Sequence, residues 1–347
     1  MYRVGIIGCG KPWRSEGATG FGMSHAHAEG YKASPDCRIV ALADISEENA
    51  RAFQERHGGE AIYTDYREML AKERLDIVSI STWPHLHAPM VIASAEAGVK
   101  AIHCEKPMAL TYGDSLRMVE VCERHGVQLT FNHQRRFNAP FRKARELLRE
   151  GAIGQLERID ATCGNLYDWG THWFDMLFFF NDETPAEWVI GQIDLRGSHR
   201  VFGAPIEGHG LSHFKFRNGV HGVMMTGHGA PHPLLISLTG SDGVIEIGRS
   251  NETPLRIWGR GHSGWEPVAV DEGLHGFDSV TRGVLDLVDA LKTGREPELA
   301  GRRALRATEL IFATYESSRR RARVDLPLDI SDSPLQAMID EAGIQLS

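Results

Sequence analysis

Short apolar runs alternate with longer amphipathic segments through the first third of the chain. Residues 4–7, 38–43, 76–80, 100–104 and 127–131 are apolar runs with no regular polar face. Runs of this kind suit strands covered on both sides. Between them, the 3.6-residue spacing predicts helices over 46–57, 66–72, 87–97 and 112–125. Ser46 followed by Glu47 and Glu48 has the form of an N-cap with acidic residues in the first turn. Gly98 and Gly126 stand where helix C-caps belong. Strands alternating with helices imply βαβ units and a mainly parallel sheet. After Gly154 the pattern changes to strict alternation, as in 220–226 and 234–239. Ser241-Asp242-Gly243, between Leu238 and Val244, is a hairpin signal.

A chain of 347 residues is long for one domain and predicts two. A net charge of -8 argues against a nucleic-acid partner, because phosphate contacts need a basic face. The basic run Arg319-Arg320-Arg321 reads as a solvated helix end. The five cysteines (Cys9, Cys37, Cys104, Cys122, Cys163) form no CxxC pair, and an odd count gives no disulfide framework. The N-terminal apolar run is too short for a signal peptide. No stretch approaches the roughly 20 apolar residues of a membrane span. A cytoplasmic protein without a membrane partner is expected.

The first run ends in Gly8-Cys9-Gly10. In a Rossmann dinucleotide fold, the first glycine makes a tight turn and the second lets the pyrophosphate approach the backbone. The phosphates then meet the free N–H groups of the next helix. The third glycine of the fingerprint would fall on Trp13, so the strict motif fails. Residues 11–22 read as an insertion that delays the helix to Gly22 or Met23, so that Gly22 or Ser24 takes the third glycine's place. The spacing to Asp44, at the end of the second run, is then right for an acid that binds the adenosine ribose. A carboxylate there repels a 2′-phosphate, so NAD is favoured over NADP. A turn or capping aspartate is the structural alternative.

Three further motifs make the pattern specific: Thr82-Trp83-Pro84-His85-Leu86-His87, Glu105-Lys106-Pro107, and Asp168-Trp169-Gly170-Thr171-His172. With Asn132 to Phe137 at the domain junction and the tail from Thr293 to Pro327, they resemble the glucose–fructose oxidoreductase / inositol dehydrogenase / rhizopine-catabolism family, Gfo/Idh/MocA. The resemblance implies an α/β N-terminal Rossmann domain (1–131). It also implies an α+β C-terminal domain (132–347) with a mostly antiparallel open sheet, with the chain's C-terminal segment packing back on the first domain. A homo-oligomer, dimer or tetramer, and a sugar, inositol or polyol substrate are implied as well.

The family's catalytic lysine falls on Lys106, and its Asp-x-x-x-His pair on Asp168 and His172. Lys106 would orient and polarise the reacting oxygen, and Glu105 would fix the lysine or touch the cofactor. His172 would exchange the proton, supported by Asp168. Cofactor contacts are expected from Gly8, Gly10, Gly22, Ser24, Asp44, Ser81, Thr82, Pro84, His87, Glu105, Lys106 and, after the fifth run, His133 or Gln134. For His87, a structural role at the helix start is weighed equally with direct contact. Of Arg135 and Arg136, one is expected to reach substrate, with Arg135 assigned, and the other to anchor the junction. Trp169 is assigned to a sugar face, with core packing as the alternative.

The 17 histidines include a run at His209, His213, His221, His228 and His232, but no metal-ligand spacing accompanies it, and no metal is expected. The default substrate is neutral. Three functions compete: a dehydrogenase releasing NADH, a glycosidase- or epimerase-type enzyme recycling tightly bound NAD, and a non-catalytic NAD sensor.

Overall fold

The computed structural model describes residues 1–346 except 229, 231–233, 251 and 262. It divides into two compact units. The first comprises residues 1–134 and 277–305, the second residues 135–276 and 306–347. The boundary expected after Phe131 therefore falls at Gln134. The returning segment is 277–305, while the chain's C-terminal stretch stays with the second unit.

In the first unit, β1 (Tyr2–Ile7), α1 (Met23–Ala33), β2 (Cys37–Ala43), α2 (Glu47–His57), β3 (Ala61–Tyr63), α3 (Tyr66–Lys72), β4 (Ile77–Ile80), α4 (Pro84–Glu96), β5 (Ala101–Cys104), α5 (Tyr112–His125) and β6 (Gln128–Phe131) follow in order. The sheet has the order β3-β2-β1-β4-β5-β6 with every pair parallel. Its buried runs are wet on neither face. Ile7, Val40, Val78 and Ile80 pack with Met69, Val91 and Met118 on one side. Val4, Ile6, Leu42 and Ile77 pack with Ala28, Tyr31 and Phe53 on the other. The Ser46 hydroxyl accepts the Asn49 N–H, as its position before two glutamates predicts. Gly126 closes α5 at φ 67°, in the left-handed region where glycine carries no steric penalty.

The second unit begins with α6 (Ala139–Arg149), β7 (Leu156–Cys163), α7 (Gly170–Phe180), β8 (Ala186–Asp194), β9 (His199–Val201), β10 (Ala204–Ile206) and β11 (His209–Phe216). It continues through β12 (His221–Gly227), β13 (Leu235–Gly240), β14 (Gly243–Ile247), β15 (Leu255–Gly259) and β16 (Glu266–Pro267). α8 (Asp278–Thr293) returns to the first unit, where Gly30 of α1 sits so close to Val284 that a Cβ would lie 2.7 Å from the valine Cβ. α9 (Gly301–Arg320), β17 (Val324–Asp325) and α10 (Pro334–Glu341) end the chain. The large sheet runs β16-β15-β14-β13-β7-β12-β11-β8-β17 and is antiparallel except for β7 beside β12. Gly240 pairs with Gly243, so the hairpin turns on Ser241-Asp242 as the sequence suggests. β11 buries every second residue, and Phe214 and Phe216 meet Phe174 and Phe178 of α7 at 6.0 and 5.4 Å between ring centres.

One ion-pair group anchors α7. Arg136 is fully buried and donates to both carboxylate oxygens of Asp175, at 2.7 and 2.8 Å, and to Glu183 at 2.5 Å. Removing one member of such a buried group strands the charge of the other. Asp175→Asn should therefore lower unfolding stability by about 3 kcal/mol. Urea unfolding of the variant checks this, and a loss under about 1 kcal/mol would contradict it.

Candidate active site

The fingerprint loop leaves β1 at Gly8, whose φ is +84° and whose Cβ, if present, would lie 2.6 Å from Ser81 O. A side chain there would collide with the loop after β4. Gly10, at φ +57°, would carry a Cβ with no neighbour within 4 Å, so its backbone faces open space. The N–H of Gly10 donates to Asp44 Oδ2 at 2.9 Å, and the N–H of Ser46 donates to Asp44 Oδ1 at 2.9 Å. Asp44 thus ties the fingerprint loop to the end of β2. Each oxygen keeps a further acceptor site for a ribose hydroxyl.

α1 begins at Met23, where the insertion reading puts it, with Gly22 as an N-cap whose side makes no capping bond. The two stand-ins for the third glycine do different things. Gly22 is glycine because a Cβ would lie 2.7 Å from Lys11 O and 2.9 Å from Trp13 N, the backbone of the insertion itself. Ser24 donates its hydroxyl to Cys9 O at 2.5 Å and so pins the helix start to the fingerprint loop.

A buried polar group lies under the carboxyl edge of the sheet. Glu105 is 6 % exposed. Its Oε1 meets His27 Nε2 at 3.0 Å and accepts from Asn132 Nδ2 at 2.7 Å, while its Oε2 accepts the N–H of Lys106 at 3.2 Å. His27 Nδ1 in turn lies 2.8 Å from Ser79 Oγ. Burial alone would raise the Glu105 carboxyl. The hydrogen bond and charge of His27, the charge of Lys106 and the Asn132 amide outweigh it and hold the group at about 2. Of the two roles expected for Glu105, fixing the lysine's turn is the one its bonds serve. His27 escaped the sequence reading because its partner is 78 residues away in the chain.

Lys106 and Pro107 follow β5 and are joined by a cis peptide bond. His87 has no exposed surface. Its Nδ1 lies 2.9 Å from Pro107 O and 3.2 Å from Met108 O, and its Nε2 3.0 Å from Thr82 O. Burial lowers its affinity for a proton although these carbonyls favour the charged ring. Of the two roles weighed for His87, these contacts serve the structural one, with the ring lying between the Thr82 loop and the Pro107 turn. Pro84 is buried at the first turn of α4, Ser81 and Thr82 are half-buried, and Trp83 is exposed against His85.

NAD fits this unit. Gly10 opens a backbone approach, the first turn of α1 has no side-chain cap, and two buried acceptors at the end of β6, Asn132 Oδ1 and Gln134 Oε1, lack a hydrogen-bond partner among the described residues. Asp44 and the first turn of α1 would hold the adenosine and pyrophosphate, and the two orphaned acceptors suit an amide donor.

In the second unit, the Asn165 side chain accepts the N–H groups of Asp168 at 2.7 Å and Trp169 at 3.1 Å, and so shapes the entry to α7. Asp168 and His172 are both buried across this helix start. The turn is held from below by Glu207, which sequence reasoning missed. It accepts the Leu166 N–H at 2.5 Å, the Thr226 hydroxyl at 3.0 Å and the Tyr315 hydroxyl at 2.8 Å, and burial raises its carboxyl. Arg135 is buried, with Trp169 and Trp173 against its guanidinium at 5.7 and 4.6 Å. His209, His213 and His221 lie on half-buried outward positions of β11 and β12, and His232 lies outside the described residues. Among the described residues, no group of three His, Cys, Asp or Glu side chains could hold a metal, and no helix is long and apolar enough to cross a membrane.

A parallel sheet of this order with an open glycine loop, an acid at the end of β2 and an uncapped helix start is the arrangement of a dinucleotide-binding fold. Residues 2–133 match the model of the oxidoreductase family with an NAD-binding Rossmann fold, GFO_IDH_MocA. The fold of the matched family model is described as NAD-binding, the cofactor that Asp44 favours. The chain is 28% identical to the D-apiose dehydrogenase of Paraburkholderia graminis, over 96% of this chain and 92% of that one. It is 26% identical to the myo-inositol 2-dehydrogenase of Thermotoga maritima, over 93% and 98%. In three dimensions it is similar to a levoglucosan dehydrogenase solved with NADH and L-sorbose, with a TM-score of 0.80 at 21% identity, over 94% of this chain and 99% of that one.

The depressed Glu105 carboxyl has a consequence for stability. Its folded pKa, about 2, lies below the unfolded value of 4.5. The contribution is complete above the unfolded value and is lost as pH falls from there toward the folded one. Glu105→Gln should destabilise the protein at neutral pH, and the gap to wild type should narrow as pH drops from about 5 to about 3. Urea unfolding across that range measures it, and a constant gap would rule out an ionised Glu105.

Proposed function

We propose that the chain is an NAD-dependent dehydrogenase that oxidises a secondary hydroxyl of a sugar, inositol or related polyol. The observation that carries this reading is the turn of Lys106, fixed through Glu105 and His87 at the carboxyl edge of the cofactor-binding sheet, where open parallel sheets bind ligands. Two relatives matched over nine-tenths of both chains are named as dehydrogenases of a sugar and an inositol. NAD, when bound, would supply the hydride acceptor. Lys106 hydrogen-bonds the reacting oxygen and stabilises the charge that builds there as the proton leaves. His172 takes that proton, and Asp168 supports it. Gln134, Ser81 and Thr82 line the cofactor, and Trp169 walls the substrate.

A screen of inositols, aldoses, sugar acids and glycosides for NADH formation tests the reaction. Lys106→Met should cost at least about 100-fold in kcat with the best substrate while NAD affinity, by fluorescence titration, changes less than about threefold. Normal turnover in that variant would remove the lysine from the mechanism. NAD binding with no NADH formed from any compound would favour the sensor instead.

Asp44 sets the cofactor. Asp44→Ser should lower kcat/KM for NAD and raise it for NADP, shifting the ratio by at least about tenfold, or 1.4 kcal/mol. Initial rates with both cofactors decide it, and an unchanged ratio would leave Asp44 as a turn residue.

A further inference from the structure

Arg135 and Arg136 are adjacent, both buried, and oppositely supplied. Arg136 has two carboxylates, Asp175 and Glu183. Arg135, 5 % exposed, has none among the described residues. Its Nη1 donates to Leu274 O at 2.8 Å and its Nη2 lies 3.3 Å from His275 Nδ1. Its Nε has no hydrogen-bond partner among the described residues. The faces of Trp173 and Trp169 complete its surroundings.

A guanidinium out of water loses several kcal/mol of hydration unless an anion meets it. Cation–π contacts return only part of that and carry no negative charge. Burial pushes Arg135 down to about 10, as expected of a cation lacking its counterion. The neighbouring pair shows that the fold provides acids where an arginine is only structural. The surroundings of Arg135 are also not closed: Trp169 is half-buried and His275 exposed.

We propose that Arg135, with Trp169 and His275, is a subsite for a carboxylate of the substrate, so that the compound oxidised is a sugar acid of the aldonate or uronate class. This replaces the neutral sugar expected from the sequence, and it rests on the dehydrogenase reading above. The Nε–Nη2 edge of a guanidinium matches a carboxylate with two parallel hydrogen bonds. Nε is the unused donor, and the long contact of Nη2 with His275 is the one a carboxylate replaces. Arg136 beside it is neutralised by Asp175 and Glu183, so Arg135 offers a single uncompensated charge, which suits a monoanion better than a phosphate dianion.

The test compares D-gluconate and D-glucuronate with D-glucose and D-glucitol, in wild type, Arg135→Met and Arg135→Lys. Wild type should favour the acids by at least about 30-fold in kcat/KM. Arg135→Met should lose about 100-fold on the acids, and less than about threefold on neutral compounds. Thermal unfolding with NAD gives a readout free of turnover. The acids should raise the Tm of wild type but not of Arg135→Met, whose own Tm should equal or exceed wild type because an uncompensated charge is gone. Arg135→Lys, which keeps the charge, should keep kcat on the acids with a raised KM. Neutral sugars preferred by wild type, equal losses on both classes, or a lower Tm in Arg135→Met with no acid-specific shift would overturn the proposal. An acid-specific Tm shift that Arg135→Met abolishes, with no NADH from any compound, would keep the subsite and sink the dehydrogenase. NADH from neutral compounds alone would do the reverse.

Discussion

Burying a carboxylate beneath a parallel sheet costs several kcal/mol unless donors surround it, and the first unit surrounds Glu105 with three. They come from α1 (His27), from the residue after β6 (Asn132) and from the backbone of Lys106. His27 and Asn132 lie 78 and 27 residues from Glu105 in sequence and meet it only when β5 and β6 are in register with α1 seated on them. The charge at Glu105 therefore requires the whole carboxyl edge to be formed. The position of Lys106 is set by the same bonds, because its N–H is one of the three donors. His87 adds a second brace by joining the Thr82 loop to the Pro107 turn through main-chain carbonyls. The edge is rigid for reasons of desolvation, and that rigidity places the lysine.

Local signals made the first unit legible. The helices at 66–72 and 112–125 have the expected ends, and α2 starts one residue after its Ser46 cap. These segments combine a clear period with capping residues that need only their neighbours. β3 was not foreseen because three residues carry too little pattern. α4 starts at Pro84, three residues before the expected His87, because its first turn is apolar and its N-cap position holds Trp83, which offers no capping oxygen. The returning α8 has an ordinary amphipathic pattern, and nothing local says which unit its buried face belongs to.

The site divides along the same line. The glycine loop, Asp44, Lys106, Asp168 and His172 are named by motif. What supports them is named only by contact. His27, Asn165 and Glu207 are common residue types without a pattern, and each acts through a partner set by the fold. The two arginines show the limit most sharply. Arg135-Arg136 reads as a symmetrical pair in sequence. Asp175, 39 residues on, serves one arginine, and among the described residues no acid serves the other. Only the burial and partners of the folded chain separate an anchor from a binding group.

The insertion at 11–22 explains why an interrupted fingerprint still spaces Asp44 correctly. A Cβ on Gly22 would lie 2.7 Å from Lys11 O, so the two ends of the insertion touch. Between them the loop is closed by its own groups. The Ser15 hydroxyl donates to Pro12 O at 2.6 Å, and Lys11 Nζ donates to Glu16 O at 3.3 Å. Trp13 packs against Phe21 and Phe277 at 6.1 and 6.3 Å. A loop whose ends meet adds length without moving what it joins, and its closure entropy grows only with the logarithm of that length. β1 and α1 therefore keep the relation an uninterrupted fingerprint would give them, and Ser24 reaches back to Cys9 across the gap. The motif is broken in sequence and continuous in space, because the demands on Gly8 and Gly10 come from their neighbours in the fold and not from the residue that follows them in the chain.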